Sequence, residues 1–238
     1  MDPEVSIVVP VKDEEENVAV LAKEIDVSMD RVGYGWECVW IDDGSTDSTG
    51  KELMKLHEGN PRHRFIVLSR NFGQSAALSV GFQKARGDII ATLDGDGQND
   101  PNDIPRLIEM LREHDADMVN GVRRKRHDSF VRKVSSKIAN GFRNMVTGDR
   151  VVDVGCSVRV FRSVCARRIP VFKGMHRFFP TLVRIQGFSR IMEAPVNHRP
   201  RMCGTTKYGI QNRLWVGLAD VGAVKWMQKR LVFPEIRI

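Results

Sequence analysis

The chain has 238 residues, 42% of them hydrophobic and 28% charged, with a net charge of +7. These figures describe an ordinary globular domain with a sizeable core, and no stretch approaches the ~20 apolar residues that a bilayer span needs. The first hundred residues are close to balanced, while Lys and Arg crowd into Arg123 to Arg126, Arg132 to Lys137, Arg199 to Lys207 and Lys225 to Arg230; a basic second half points to phosphates, an acidic lipid surface or nucleic acid.

Taken in chain order, the apolar run Val5 to Val11 predicts a buried strand, and Glu14 to Val32 a helix with Val18, Leu21, Ile25 and Met29 near helical spacing. Trp36 to Ile41 predicts a second strand, ended by Asp42-Asp43-Gly44-Ser45, with Asp47 capping a helix through Leu56. Further strands are expected at Phe65 to Leu68, Asp88 to Leu93 and Asp117 to Asn120, with helices at Gln74 to Ala85 and Asp103 to His114. This alternation predicts an α/β fold, a mostly parallel sheet with helices on both faces, whose ligands sit beyond the carboxyl ends of the strands.

After residue 122 the alternation fails. Phe130 to Thr147 reads as a basic amphipathic helix, Gly155 to Arg162 as a strand, His176 to Gly187 as a helix and Ile191 to Val196 as a strand. A polar loop, Asn197 to Lys207, leads to a helix at Gln211 to Arg230 carrying Trp215 and Trp226. That last helix suits an anionic lipid interface, and equally a helix packed on the sheet. One continuous domain is expected, with residues 1–122 as its alternating α/β half and 123–238 as its basic half.

The most informative stretch is Asp94-Gly95-Asp96-Gly97-Gln98 at the end of the fourth strand. Asp94, Asp96 and Gln98 offer hard oxygen ligands suited to a Mg²⁺ or Mn²⁺ that also holds a diphosphate, and the glycines leave room for a bulky anion. A plain Asp/Gly turn is the ordinary alternative. An EF-hand loop fails, because Asn99 stands where Gly is needed and Pro105 where Glu is needed. Neither a GxGxxG fingerprint nor a P-loop is present. The basic run from Arg123 reads weakly as a nucleic-acid patch, because no aromatics interleave with it. Arg132 and Ser136 lie four apart and share a helix face, where Arg can clamp a phosphate. His176 and His198 read as structural or surface residues. Cys38, Cys156, Cys165 and Cys203 form no CxxC pair, which with the signal-free start suggests reduced thiols in the cytoplasm.

Together these residues resemble the family 2 glycosyltransferases, in particular their polyprenyl-phosphate branch. The resemblance rests on Val8 to Asn17, Asp42 to Ser45, Ser69 to Ala77, Asp94 to Pro101 and Arg201 to Lys207. It implies a GT-A-type fold plus a C-terminal amphipathic helix. It also implies inverting, metal-dependent transfer from a GDP- or UDP-linked sugar to a polyprenyl phosphate. Pro10, Glu14, Asp42 and Asp43 line the nucleoside pocket in this picture. Asp94, Asp96 and Gln98 carry the metal, and Arg123, Arg132, Ser136, Arg201 and Lys207 hold donor and acceptor phosphates, with Arg132 close to the chemistry. The expected partners are a nucleotide sugar, a polyprenyl phosphate and the inner face of the membrane, through peripheral contact, spans beyond this sequence or an anchoring protein, and not nucleic acid. Transfer to a saccharide hydroxyl is the rival enzyme reading, with Asp153 nominated as base; a basic nucleic-acid or membrane-binding module is the rival without catalysis.

Overall fold

The computed structural model describes residues 2–123, 140–200 and 213–234. The first half alternates as expected: β1 (Val5–Val11), α1 (Glu15–Met29), β2 (Trp36–Asp42), α2 (Thr49–Gly59), β3 (His63–Val67), α3 (Gln74–Lys84), β4 (Ile89–Thr92), α4 (Asp103–Glu113) and β5 (Met118–Arg123). The second half adds a helical segment at 140–147, then β6 (Arg159–Arg162), α5 (Ser163–Arg167), a 3₁₀ turn (Met175–Arg177), α6 (Phe179–Ile185), β7 (Ile191–Val196) and α7 (Arg213–Arg230).

All seven strands form one sheet in the order β3-β2-β1-β4-β6-β5-β7. Strand β6 runs antiparallel to β4 and β5; the remaining pairings are parallel. Every residue of β2 and all but Pro10 of β1 are buried, as a strand covered on both faces requires. On one face α1, α2 and α4 pack against Val9, Val11 and Trp40. On the other, α3, α5, α6 and α7 pack against Val8, Val39 and Ile41. Because the sheet takes β6 and β7 from beyond residue 122, the two halves share one core.

Several expectations shift for local reasons. The second helix begins at Thr49, with Ser48 in the cap position; Asp47 sits one residue earlier, its carboxylate accepting the Thr49 amide at 2.9 Å. The strand expected from Gly155 begins only at Arg159, because Asp153 accepts the Gly155 amide at 3.1 Å and turns the chain there. The helix expected over His176 to Gly187 splits at Phe178, ahead of Pro180, which has no amide to continue the hydrogen-bond ladder. The short α5 carries too few residues to show a period in the sequence. Residues 130–139 and 211–212 of the two expected basic helices lie outside the described residues.

Phe82 on α3, Phe161 on β6 and Phe179 on α6 meet with ring centroids 5.5–5.8 Å apart, joining these three elements within the core. Phe82→Ala is expected to destabilise the fold by about 3–5 kcal/mol in urea denaturation.

Candidate functional site

Strand β1 has β2 on one side and β4 on the other, and the helices that follow β1 and β3 lie on opposite faces. Such a reversal opens a crevice at the carboxyl ends of the strands. Val8 pairs with Thr92, so Asp94 to Gln98 emerges beside the end of β1. Gly95 is required there: a Cβ would meet Val11 Cγ1 at 2.5 Å and the Pro10 carbonyl at 3.1 Å. Close packing on β1, more than room for a ligand, therefore accounts for this glycine.

Asp94 and Asp96 are both half-buried. Gln74 Nε2 donates to Asp94 Oδ1 at 2.7 Å, and the Gln98 amide donates to Asp96 Oδ1 at 3.1 Å. Burial and the Asp96 charge push the Asp94 carboxyl up to about 6, while the Ser157 hydroxyl, Arg159 and Arg123 pull it back. Two crowded oxygen-donor side chains with a glutamine nearby suit a hard divalent cation. Among the described residues no third His, Cys, Asp or Glu joins them, so the set is two carboxylates and an amide. The Gln98 carbonyl accepts the Arg199 amide at 2.7 Å, and Asn99 bridges to His198. This ties the acidic loop to the segment that leads into the basic loop.

The end of β2 is an interlocked pair of turns. Asp42 Oδ1 accepts the Ser45 amide at 2.8 Å, so this buried carboxylate shapes the turn. Asp43 accepts two amides, Phe72 at 2.7 Å and Gly73 at 2.8 Å. Gly44, at φ +67°, lies so close to Arg70 and Asn71 that no Cβ fits. The Glu14 amide donates to Thr49 Oγ1 at 2.8 Å, and its carboxylate accepts the Asn17 amide group at 2.5 Å. Lys12 donates to the Gly44 carbonyl at 3.0 Å. Pro10, Glu14, Asp42 and Asp43 thus fall on two adjacent strand ends, as expected, but Asp42 and Asp43 already engage backbone amides.

On the second-half side, Arg123 and Asp153 form a two-pronged ion pair at 2.7 and 2.9 Å. Asp153 also accepts the Gly155 amide, so the carboxylate nominated as a base is held by a guanidinium and a backbone amide together. Sequence reasoning missed Gln74, Ser157 and Arg159. Arg159 is buried, donates to Asn120 Oδ1 at 2.8 Å and to the Val154 carbonyl at 2.7 Å, and places its charge near Asp94. His176 Nδ1 lies 3.0 Å from Ser75 Oγ. Gln74 and Ser75 belong to a stretch quoted for its resemblance, which was the available signal; Ser157 and Arg159 had none, and His176, read as structural, packs on Ser75 as such a residue would. Arg132, Ser136, Arg201 and Lys207 lie outside the described residues.

A match to the model of glycosyl transferase family 2 covers residues 6–171. The chain belongs to this family. It is 39% identical over 235 residues to the dodecaprenyl-phosphate galacturonate synthase of Rhizobium johnstonii, covering 94% of this chain and 68% of that protein. It is 38% identical over 211 residues to the undecaprenyl-phosphate 4-deoxy-4-formamido-L-arabinose transferase of Salmonella paratyphi B, covering 86% of this chain and 62% of that protein. The chain therefore spans about two thirds of the length of these relatives. Its fold is similar to that of glucosyl-3-phosphoglycerate synthase from Mycobacterium tuberculosis, solved with Mn²⁺, UDP-glucose and phosphoglyceric acid, with a TM-score of 0.69 at 18% identity, covering 97% of this chain and 81% of that one.

Helix α7 buries Val221 and Val224 against the core and exposes Leu218, Trp226, Lys225, Lys229 and Arg230. Beside it the 140–147 segment exposes Phe142 and Met145, and its Thr147 carbonyl accepts Gln228 Nε2 at 2.7 Å. The buried valines agree with the reading of this helix as packed on the core. No helix among the described residues is long and apolar enough to cross a membrane. Cys38, Cys156 and Cys165 are buried free thiols, and burial pushes Cys156 up to about 11 and Cys165 up to about 12.

Burial, with Arg177 and Arg159 close by, pushes His176 down to about 3 from its ordinary 6.5. A histidine whose folded value is lowered stabilises the fold fully above its unfolded value, and that contribution is lost as pH falls toward the folded value. His176→Gln is expected to flatten the loss of stability between about pH 6.5 and pH 4, measured by urea denaturation at each pH.

Proposed function

We propose that this chain transfers a sugar from a GDP- or UDP-linked donor to a polyprenyl phosphate, with inversion, at the carboxyl ends of β1 and β4. The observation that carries the reading is the Asp94 and Asp96 pair at the switch point of the sheet. The identity to two proteins named as polyprenyl-phosphate transferases supports the acceptor class. Residues 1–122 supply the donor half and 123–238 the acceptor half.

Pro10, Glu14, Asp42 and Asp43 line the nucleoside end. Asp94, Asp96 and Gln98 hold a Mg²⁺ or Mn²⁺, which neutralises charge on the departing diphosphate. Arg123, Arg132, Ser136, Arg201 and Lys207 bring two anionic reactants together, a task cations do best where water is sparse. A phosphate monoester has its second pKa near 6, so it is largely ionised at neutral pH and attacks the anomeric carbon without a strong base. The ion-paired Asp153 fits that economy, because a hydroxyl acceptor would need a freer carboxylate. The apolar and cationic outer face of α7, with Phe142 and Met145, meets anionic lipid at the inner face of the membrane, where the acceptor resides.

A thermal-shift panel of UDP- and GDP-sugars with Mn²⁺ is expected to yield one base class that raises the melting temperature by about 5–10 °C at concentrations near 100 times its Kd. Transfer to undecaprenyl phosphate should be lost in Asp96→Ala; wild-type transfer by that variant removes the metal assignment. Arg132→Ala is expected to weaken use of the lipid phosphate while nucleotide binding stays near wild type, which isothermal titration with the nucleoside diphosphate checks.

A further inference from the structure

Four consecutive residues where α3 begins hold three neighbouring parts of the structure: Asp43, Asp94 and the turn at Gly174 to His176. The Phe72 and Gly73 amides donate to the two oxygens of Asp43 at 2.7 and 2.8 Å. Gln74 Nε2 donates to Asp94 Oδ1 at 2.7 Å. Ser75 Oγ accepts the Gly174 amide at 3.0 Å and meets His176 Nδ1 at 3.0 Å. Gly73 takes φ +92°, which lets the chain turn from the two Asp43 contacts directly into the helix whose first residue is Gln74.

We infer that Gln74 is the positioning residue of the metal site: its amide holds Asp94 Oδ1 and so sets the orientation of the carboxylate that would serve as a ligand. The role rests on the metal reading proposed above. An amide suits it chemically. Its N–H orients a carboxylate without adding positive charge, whereas Lys or Arg would compete with the divalent ion for the same oxygens. The side chain stands on the rigid start of a helix tied to the nucleoside carboxylate one residue earlier. One turn therefore sets the spacing between the nucleoside end and the metal end, the span that a diphosphate must bridge.

The test is a Mn²⁺ titration of the full chain followed by electron paramagnetic resonance, for wild type, Gln74→Leu, Gln74→Ala and Gln74→His. Leu and Ala remove the donor and are expected to weaken Mn²⁺ about 10–100-fold, while the metal-free melting temperature moves by less than about 4 °C. Histidine offers an N–H at similar reach and is expected to return affinity to within about threefold of wild type. Ala repeats the measurement if Leu unfolds the chain. Wild-type affinity in the Leu or Ala variant, with wild type binding Mn²⁺, overturns the role of Gln74 alone; so does an equal loss in the His variant. Absence of Mn²⁺ binding by wild type overturns the metal reading, and the role with it.

Discussion

Two carboxylates crowded at the tip of a buried strand repel each other, and much of the architecture around β4 is arranged against that repulsion. Asp94 is pushed up to about 6 by burial and by Asp96. Its folded value lies above its unfolded one, so the metal-free fold is penalised once Asp94 ionises, and the penalty disappears in acid. A protein selected only for stability has little reason to keep such a pair. Gln74, Ser157, Arg159 and Arg123 each relieve it in part, from α3, the turn before β6, β6 itself and β5. The antiparallel strand β6, slotted between β4 and β5, and the turn that leads into it deliver two of these four groups.

The same corner is built by loops that hold one another. Asp13 accepts the Thr46 amide at 2.7 Å and donates its own amide to Ser45 Oγ at 2.8 Å. Glu15 accepts the Ser48 amide at 2.8 Å. The β1–α1 and β2–α2 loops are therefore one unit, and Asp43 ties the start of α3 to it. Loop residues placed this way inherit the rigidity of the strands beneath them, which functional groups need to hold their geometry.

The basic second half divides into cations held in ion pairs and cations that face outward. Arg123 pairs with Asp153, and Arg184 with Thr181 holds the buried Asp149. Lys225, Lys229 and Arg230 stand on the outer side of α7, beside exposed Trp226. Net charge in the sequence could not separate these groups, because pairing is a property of position.

Much of the fold was legible along the chain. Strands β1 and β2 are largely apolar runs because both of their faces are covered, and the acidic clusters at their ends mark where the apolar runs stop. The acidic loop stood out along the chain because Asp94, Asp96 and Gln98 fall at alternate positions directly after an apolar run, a pattern that a plain Asp/Gly turn also shares. Less legible were short or interrupted elements such as α5 and the 3₁₀ turn, whose length hides any period. The sequence by itself determined the order of elements and the residue types at the strand ends, since local spacing and composition encode both. Only the tertiary structure decided that Gln74 meets Asp94, that Arg123 closes on Asp153 and that Arg159 is buried near the acidic pair. These partners lie 20 to 65 residues apart, and the sheet order that joins them depends on crossovers no local pattern records.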